Sequence, residues 1–151
     1  MPTDFIPVPH YPQSNPGACL PACARMALAA LGKPYAETEL AQVMGSYPFG
    51  TPASRVTRLQ ALGNQVRYEP MTLTELRQWT QQGLTPIVFV LADFLPWTDF
   101  IGFHALVLVG VTNEQVWLHD PALPDGPIQL SVDGFMLAWE EFDRMTAVIL
   151  S

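Results

Sequence analysis

Residues 13–28 read QSNPGACLPACARMAL and combine a turn, two cysteines and the start of a helical pattern. The letters SNPG are typical of a turn, and apolar residues recur at helical spacing from Leu20 onward. Cys19 therefore stands at the predicted N-cap, where unpaired N–H groups and the helix dipole favour a thiolate. We expect Cys19 to be the functional thiol. We expect Cys23, one turn later, to be a small core residue.

The composition is that of one globular domain, which we place over residues 1–151. Hydrophobic residues make up 49% of the chain and charged residues only 14%, so a buried core is expected rather than disorder. The formal net charge of −7 argues against a nucleic-acid partner, which would need a basic face.

The sequence shows no signal peptide and no apolar run of 18 residues, so we expect a cytoplasmic protein without membrane insertion. Two cysteines four residues apart on one helix are a poor disulfide pair, because the helical backbone holds them out of bridging geometry. We therefore expect reduced thiols, which suit the cytoplasm. The oligomeric state is not determined by these features.

Helical patterns dominate the first half of the chain and strand patterns the second half, which is typical of an α+β fold with a mostly antiparallel sheet. After an extended segment at 5–12, helices are predicted at 20–31, 38–44, 52–63, 72–83 and 131–139. Strands are predicted at 65–69, 86–91, 103–111, 115–119 and 146–150, with a loop at 121–127.

A nucleophilic cysteine needs a base, and the chain offers His10, His104 and His119. His104 begins one predicted strand and Asp120 follows the end of the next. An antiparallel hairpin therefore places these two side chains close together. His119 has the opposite parity to Asp120 and should face away. We expect His104 to be the base and Asp120 to accept a hydrogen bond from its other ring nitrogen.

An acyl-transfer intermediate also needs donors for its oxyanion. The backbone N–H of Cys19 is one candidate, and the side-chain amide of Gln13, across the turn, is another. Each of these residues also has an ordinary structural role, such as a core cysteine, a strand-edge histidine or an Asp-Pro turn. The order of all four along the chain, a glutamine and a cysteine at a helix start, then a histidine and an aspartate on neighbouring strands, favours a catalytic role. A zinc site made of Cys19, Cys23 and two histidines is the alternative that this pattern leaves open.

The whole chain resembles the C39-like branch of the papain-like cysteine peptidases. The resemblance lies in VPHYPQSNPGACLPACARMAL, TPIVFV, HALVLVGV, VWLHDPA and SVDGFMLAW. It implies a papain-like fold in which N-terminal helices pack on the sheet. By position it makes Gln13 the oxyanion-hole residue, Cys19 the nucleophile, His104 the base and Asp120 the residue that orients it. Leu20 departs from the family's usual Cys-Gly-Pro-Ala and adds bulk beside the nucleophile.

The resemblance implies a thiol-dependent peptidase or amidase that acts on a peptide or protein through an acyl-enzyme and needs no metal or other cofactor. Leu20, Trp97 and Phe103 are the predicted substrate-binding residues. Trp97 lies in an aromatic loop before His104 that we interpret either as a substrate-binding lip or as a loop packed on the core. Two further functions stay open: a catalytically weak or inactive peptide-binding domain on the same fold, and an acyltransferase with the same triad.

Overall fold

Six antiparallel strands, in the order β1-β6-β2-β3-β4-β5, form one sheet within residues 6–150, the part of the chain that the computed structural model describes. The strands are β1 Gln65–Pro70, β2 Ile87–Leu91, β3 Phe103–Val111, β4 Gln115–His119, β5 Ile128–Ser131 and β6 Met145–Leu150. The α-helices are α1 Cys19–Ala30, α2 Glu37–Met44, α3 Leu73–Gln81 and α4 Val132–Glu140. Ala53–Leu62 and Ala92–Phe94 form 3₁₀ helices. This arrangement confirms the predicted α+β class.

Both faces of the sheet are covered, which explains the uninterrupted apolar run of β3. Ala105, Val107 and Val109 pack in the core formed with α1 and α2. Leu106 and Leu108, which alternate with them, pack in a second core formed with α3 and α4. The resemblance implies only N-terminal helices packed on the sheet, whereas α3 and α4 cover its second face.

Helix α1 begins at Cys19 and has Ala18 as its N-cap, one residue earlier than predicted. Pro21 lies in the first turn, where its missing N–H leaves no intrahelical bond unmade. The turn before the helix contains Gly17, at which any Cβ atom would clash with the carbonyl oxygen of Pro48. A glycine is therefore required for the turn to lie against the loop at 47–50.

Two local predictions need correction. Residues 53–62 form a 3₁₀ helix rather than an α-helix, and the three-residue spacing of Val56, Leu59 and Leu62 fits three residues per turn. Strand β5 covers residues 128–130, for which no element was predicted, and Ser131, where the last helix was predicted to begin; four residues are too few to show alternation. The predicted extended segment starts at Phe5, outside the described residues. Within it, the Ile6 N–H donates to the Val109 carbonyl over 2.8 Å.

Two histidines connect the N-terminal segment to the end of β4. His119 Nε2 bonds to the carbonyl of Val8 over 2.7 Å, and His10 Nε2 bonds to the carbonyl of Leu123 over 2.7 Å. The two ring centroids are 5.0 Å apart, and neither Nδ1 atom has a hydrogen-bond partner among the described residues. Burial lowers the pKa of His119, its bond to Val8 raises it, and the nearby His10 lowers it, with a net lowering.

No helix between residues 6 and 150 has the length and apolarity that crossing a bilayer requires.

We predict that the contribution of His119 to the free energy of unfolding falls as the pH drops from 7 to 5.5, because unfolded His119 takes up a proton near its usual pKa of about 6.5 while the folded ring resists it. In His119→Gln, a side-chain amide replaces the imidazole as the possible donor to the Val8 carbonyl, and the residue no longer titrates in this pH range. Urea unfolding of both proteins across this range measures the effect. The difference in unfolding free energy, wild type minus variant, should fall as the pH drops, and a difference that does not change with pH would contradict the prediction.

Candidate active site

The N-terminus of α1 lies against the beginning of β3. Cys19, the first residue of the helix, is half-buried and lies close enough to His104, the second residue of the strand, for the imidazole to lower the pKa of its thiol. One turn further along the helix, Cys23 Sγ donates to the carbonyl oxygen of Ala105 over 3.3 Å. Both cysteines are free thiols. The contact between helix and strand thus brings the predicted nucleophile and the predicted base together.

His104 is held from its far side by Asp120, which immediately follows β4. His104 Nε2 and Asp120 Oδ1 are 2.7 Å apart, and the two side chains are only 3% and 0% exposed. The Ala122 N–H donates to the same carboxylate oxygen over 2.8 Å. Trp97 Nε1–H donates to the other oxygen, Oδ2, over 2.8 Å. Both oxygens of this buried carboxylate are therefore satisfied.

These contacts keep Asp120 ionised. Burial raises the pKa of the Asp120 carboxyl, but the hydrogen bond and charge of His104, together with Trp97 and Ala122, lower it by more. Burial likewise lowers the pKa of His104, but the hydrogen bonds and charges of Asp120 and Cys19 raise it to about 9. His104 is therefore protonated at neutral pH.

The two cysteines have opposite acidities. Burial raises the pKa of Cys19, but the hydrogen bond and charge of His104, with the backbone N–H groups of Ala105 and Leu20, lower it below the ordinary value. Burial, and then the negative charges of Cys19 and Asp120, raise the pKa of Cys23 well above that value. Because Nε2 of His104 is bonded to Asp120, Nδ1 is the ring nitrogen left for Cys19. The arrangement favours a Cys19 thiolate beside a His104 imidazolium.

Gln13 lies on the other side of the turn that precedes Cys19. Its backbone N–H donates to the carbonyl of Pro121 over 2.7 Å, which connects it to the loop that follows Asp120. Its side-chain Nε2 donates to the carbonyl of Asn15 over 2.9 Å. A primary amide has two N–H groups, so a second donor is left. Gln13 and Cys19 line the same cavity, as the predicted oxyanion-hole role requires.

That cavity measures about 780 Å³ and opens between the turn at 13–17, the loop at 49–52 and the segment at 100–103. Apolar side chains stand at its rim: Phe49 is 85% exposed, Ile101 83% and Phe103 62%. A smaller cavity of about 260 Å³ shares Cys19 and His104 with it. Both cavities therefore adjoin the candidate thiol of Cys19.

The three predicted substrate-binding residues lie in different surroundings. Phe103 lines both cavities. Leu20 lines only the smaller one and is 1% exposed. Trp97 donates its indole N–H to Asp120, a contact that sequence reasoning missed because a loop side chain has no predictable direction. Phe100, in the same loop, packs edge-on against His104 with ring centroids 4.9 Å apart.

The residues of the zinc alternative do not come together. His104 Nε2 is bonded to Asp120, whereas His119 Nε2 is bonded to Val8. Among residues 6–150, no three His, Cys, Asp or Glu side chains are grouped so that they could hold a metal ion.

Comparison with known proteins identifies the family of the chain. Residues 5–146 match the sequence profile of the Peptidase_C39 like family. No curated protein matches the sequence.

Solved structures share the fold at low sequence identity. The peptidase domain of Streptococcus ComA, a bi-functional ABC transporter involved in quorum sensing, is 21% identical with a TM-score of 0.76, over 93% of this chain and 96% of that one. A C39-like peptidase from Bacillus anthracis is 15% identical with a TM-score of 0.77, over 99% and 96%. A double glycine motif protease from an AMS/PCAT transporter, solved with its leader peptide, is 19% identical with a TM-score of 0.69, over 97% and 94%.

We predict that iodoacetamide alkylates Cys19 with an apparent pKa below the usual value of about 8.5, because His104 stabilises the thiolate. His104→Ala should raise that pKa, since burial then acts with less opposition. Peptide mapping across pH measures both cysteines at once, and Cys23 is the internal control that should stay unreactive. A Cys19 that titrates like a free thiol, or a Cys23 that reacts faster, would contradict the prediction.

We predict that Trp97→Phe moves the apparent pKa of Cys19 back toward the ordinary value, because loss of the indole N–H frees Asp120 to turn away from His104. At pH values below the apparent pKa of Cys19, the alkylation rate should fall in proportion to the rise in that pKa, because only the thiolate reacts. Trp79→Phe, on α3, is the matched control and should leave both values unchanged. An unaltered Cys19 titration in Trp97→Phe would show that the indole only fills space.

Proposed function

The chain belongs to the Peptidase_C39 like family, and we propose that it is a cysteine peptidase or amidase that cleaves a peptide or amide bond through an acyl-enzyme. The observation that supports this most strongly is the series Cys19, His104 and Asp120, in which His104 is hydrogen-bonded to Asp120 and lowers the pKa of Cys19, with Gln13 on the same cavity. Such a series supplies a nucleophile, a proton carrier and an orienting carboxylate.

The first chemical step uses the charge already separated in the site. The Cys19 thiolate attacks the carbonyl carbon of the scissile bond, and the carbonyl oxygen becomes an oxyanion. The free side-chain N–H of Gln13 and the backbone N–H of Cys19 are the proposed donors to that oxyanion, because the first N–H groups of a helix have no partner within it. His104 then gives the proton on Nδ1 to the leaving nitrogen, and the C–N bond breaks.

The second step releases the acyl group. Neutral His104 takes a proton from water, and the resulting hydroxide attacks the thioester carbonyl and expels the Cys19 thiolate. Asp120 remains ionised throughout and holds the ring through Nε2. An amine in place of water would give acyl transfer, so the same groups serve the acyltransferase alternative. The product distinguishes the two reactions.

A peptide is the substrate class that the site fits best. The larger cavity is an open groove with apolar side chains at both rims. A structural neighbour of this chain, a double glycine motif protease, was solved with a leader peptide. We propose peptide binding in the groove between Phe49 and Phe103, with Trp97 as a positioning residue rather than a contact to the substrate.

The departure at Leu20 does not block this groove. The Leu20 side chain is 1% exposed, packs in the core between α1 and the sheet, and does not line the larger cavity. The bulk that motivated the inactive, peptide-binding alternative is thus directed away from the open groove. This placement favours a catalytic domain.

We predict that Cys19→Ala abolishes cleavage while the fold is retained, and that Cys23→Ala keeps most of it. Cys23 is the matched control because it lies one turn away on the same helix and bonds only to the carbonyl of Ala105. Cleavage is measured by mass spectrometry on a synthetic peptide library, with circular dichroism as the test of folding.

Gln13→Ala should lower kcat by about 10²–10³, the usual effect of removing one oxyanion donor. Full cleavage by Cys19→Ala would overturn the proposed mechanism. Peptide binding that survives in Cys19→Ala, together with no cleavage by the wild type, would favour the binding-domain alternative.

A further inference from the structure

The segment at 6–13, which ends at the proposed oxyanion donor Gln13, lacks many of the donors that a regular strand would use. Three of its residues, Pro7, Pro9 and Pro12, have no backbone N–H. A segment with so few donors cannot pair continuously along a sheet. Its attachment to the rest of the fold therefore depends on a few single bonds.

Two histidine side chains supply bonds between this segment and the end of β4. His119, the last residue of β4, donates its Nε2–H to the Val8 carbonyl, and His10 donates its Nε2–H to the Leu123 carbonyl, in both cases over 2.7 Å. A carbonyl oxygen only accepts, so Nε2 carries the proton in each ring. The two bonds run in opposite directions and fix the segment at positions 8 and 10.

The loop at 120–127 fits closely around these two rings. An added Cβ atom at Gly126 would clash with the Nδ1 atoms of both His10 and His119. The loop backbone therefore packs directly against the histidine pair, whose ring centroids are 5.0 Å apart. His10 thus contacts the loop at two places, through its bond to Leu123 and through its packing against Gly126.

The direction of the Gln13 amide depends on where this backbone lies. Among the residues that the structure describes, the side chain makes one hydrogen bond, from Nε2 to the Asn15 carbonyl, and Oε1 makes none. The backbone N–H of Gln13 donates to the Pro121 carbonyl, in the same loop that accepts the His10 bond at Leu123. These two attachments, at positions 10 and 13, align the end of the segment with that loop.

We propose that His10 is a positioning residue for the acyl-transfer reaction, because its bond to Leu123 holds the free side-chain N–H of Gln13 where the oxyanion forms. The inference rests on the proposed function, since it needs Gln13 as an oxyanion donor. Such donors act through their position, and a displacement of about 1 Å can cost about a hundredfold in rate. His10 itself lines neither of the cavities beside Cys19.

The test compares two reactions of the same thiolate. With p-nitrophenyl acetate, Cys19 attacks the acetyl carbonyl, an oxyanion forms, and its collapse leaves a thioester and p-nitrophenolate. With iodoacetamide, the thiolate displaces iodide and no oxyanion forms. Both rates are measured with enzyme in excess at one pH, so the thiolate fraction cancels in the ratio of acylation to alkylation. Cys19→Ala gives the background.

His10→Phe fills the space of the ring and removes the donor. It should lower the ratio at least about threefold without changing the alkylation rate, and His10→Gln, which retains an N–H donor, should restore most of the loss. Pro9→Ala is the matched control, because it is exposed in the same segment, and it should keep the wild-type ratio. Gly126→Ala displaces both rings from the loop side and should also lower the ratio, which provides a second variant if His10→Phe does not fold.

A double-variant cycle distinguishes the positioning of Gln13 from a general effect on the fold. Gln13→Ala should lower the ratio at least about tenfold. Adding His10→Phe to Gln13→Ala should bring no further loss, because the group that His10 positions is gone.

A wild-type ratio in folded His10→Phe, or a further loss of the same size in the double variant, would overturn the inference while the proposed function stands. A wild-type ratio in Gln13→Ala would instead count against the oxyanion donor of the proposed function, and the positioning role of His10 would fall with it.

Discussion

The buried hydrogen bond between His104 and Asp120 is the constraint around which the site is arranged. A carboxylate with no exposed surface is costly unless every lone pair facing the protein has a donor. Here the ring of His104, the indole of Trp97 and the backbone of Ala122 supply those donors. Each donor comes from a different segment, so satisfying one carboxylate fixes the beginning of β3, the aromatic loop before it and the loop after β4.

The packing of α1 on β3 places the Cys19 thiol beside His104. That strand is buried on both faces, and its small Ala105 allows the helix to approach closely enough for the Cys23 thiol to bond with its carbonyl. The backbone bond from Gln13 to Pro121 then joins the turn before α1 to the loop that follows Asp120. The proposed nucleophile, base and oxyanion donor are thus positioned by backbone contacts as well as by their own side chains.

The sequence was informative where local order determines position. A hairpin brings the start of one strand beside the end of the next, so His104 and Asp120 could be paired in advance, and the Thr72–Glu75 capping box that opens α3 is confirmed. Contacts made by irregular segments could not be predicted from the sequence. The direction of Trp97 depends on tertiary packing, which no periodicity encodes. Strand β5 was missed for a related reason, since its four residues bury only Leu130.

The two cysteines show that surroundings, not residue type, determine reactivity in this fold. Both lie on one face of α1, yet Cys19 faces an imidazolium and backbone N–H groups, whereas Cys23 is fully buried beneath two negative charges. The thiolate at Cys19 is itself one of those charges, so ionisation of the first sulfur opposes ionisation of the second. One helical turn therefore separates Cys19, the proposed nucleophile, whose pKa is lowered, from Cys23, whose pKa is raised and which packs as part of the core.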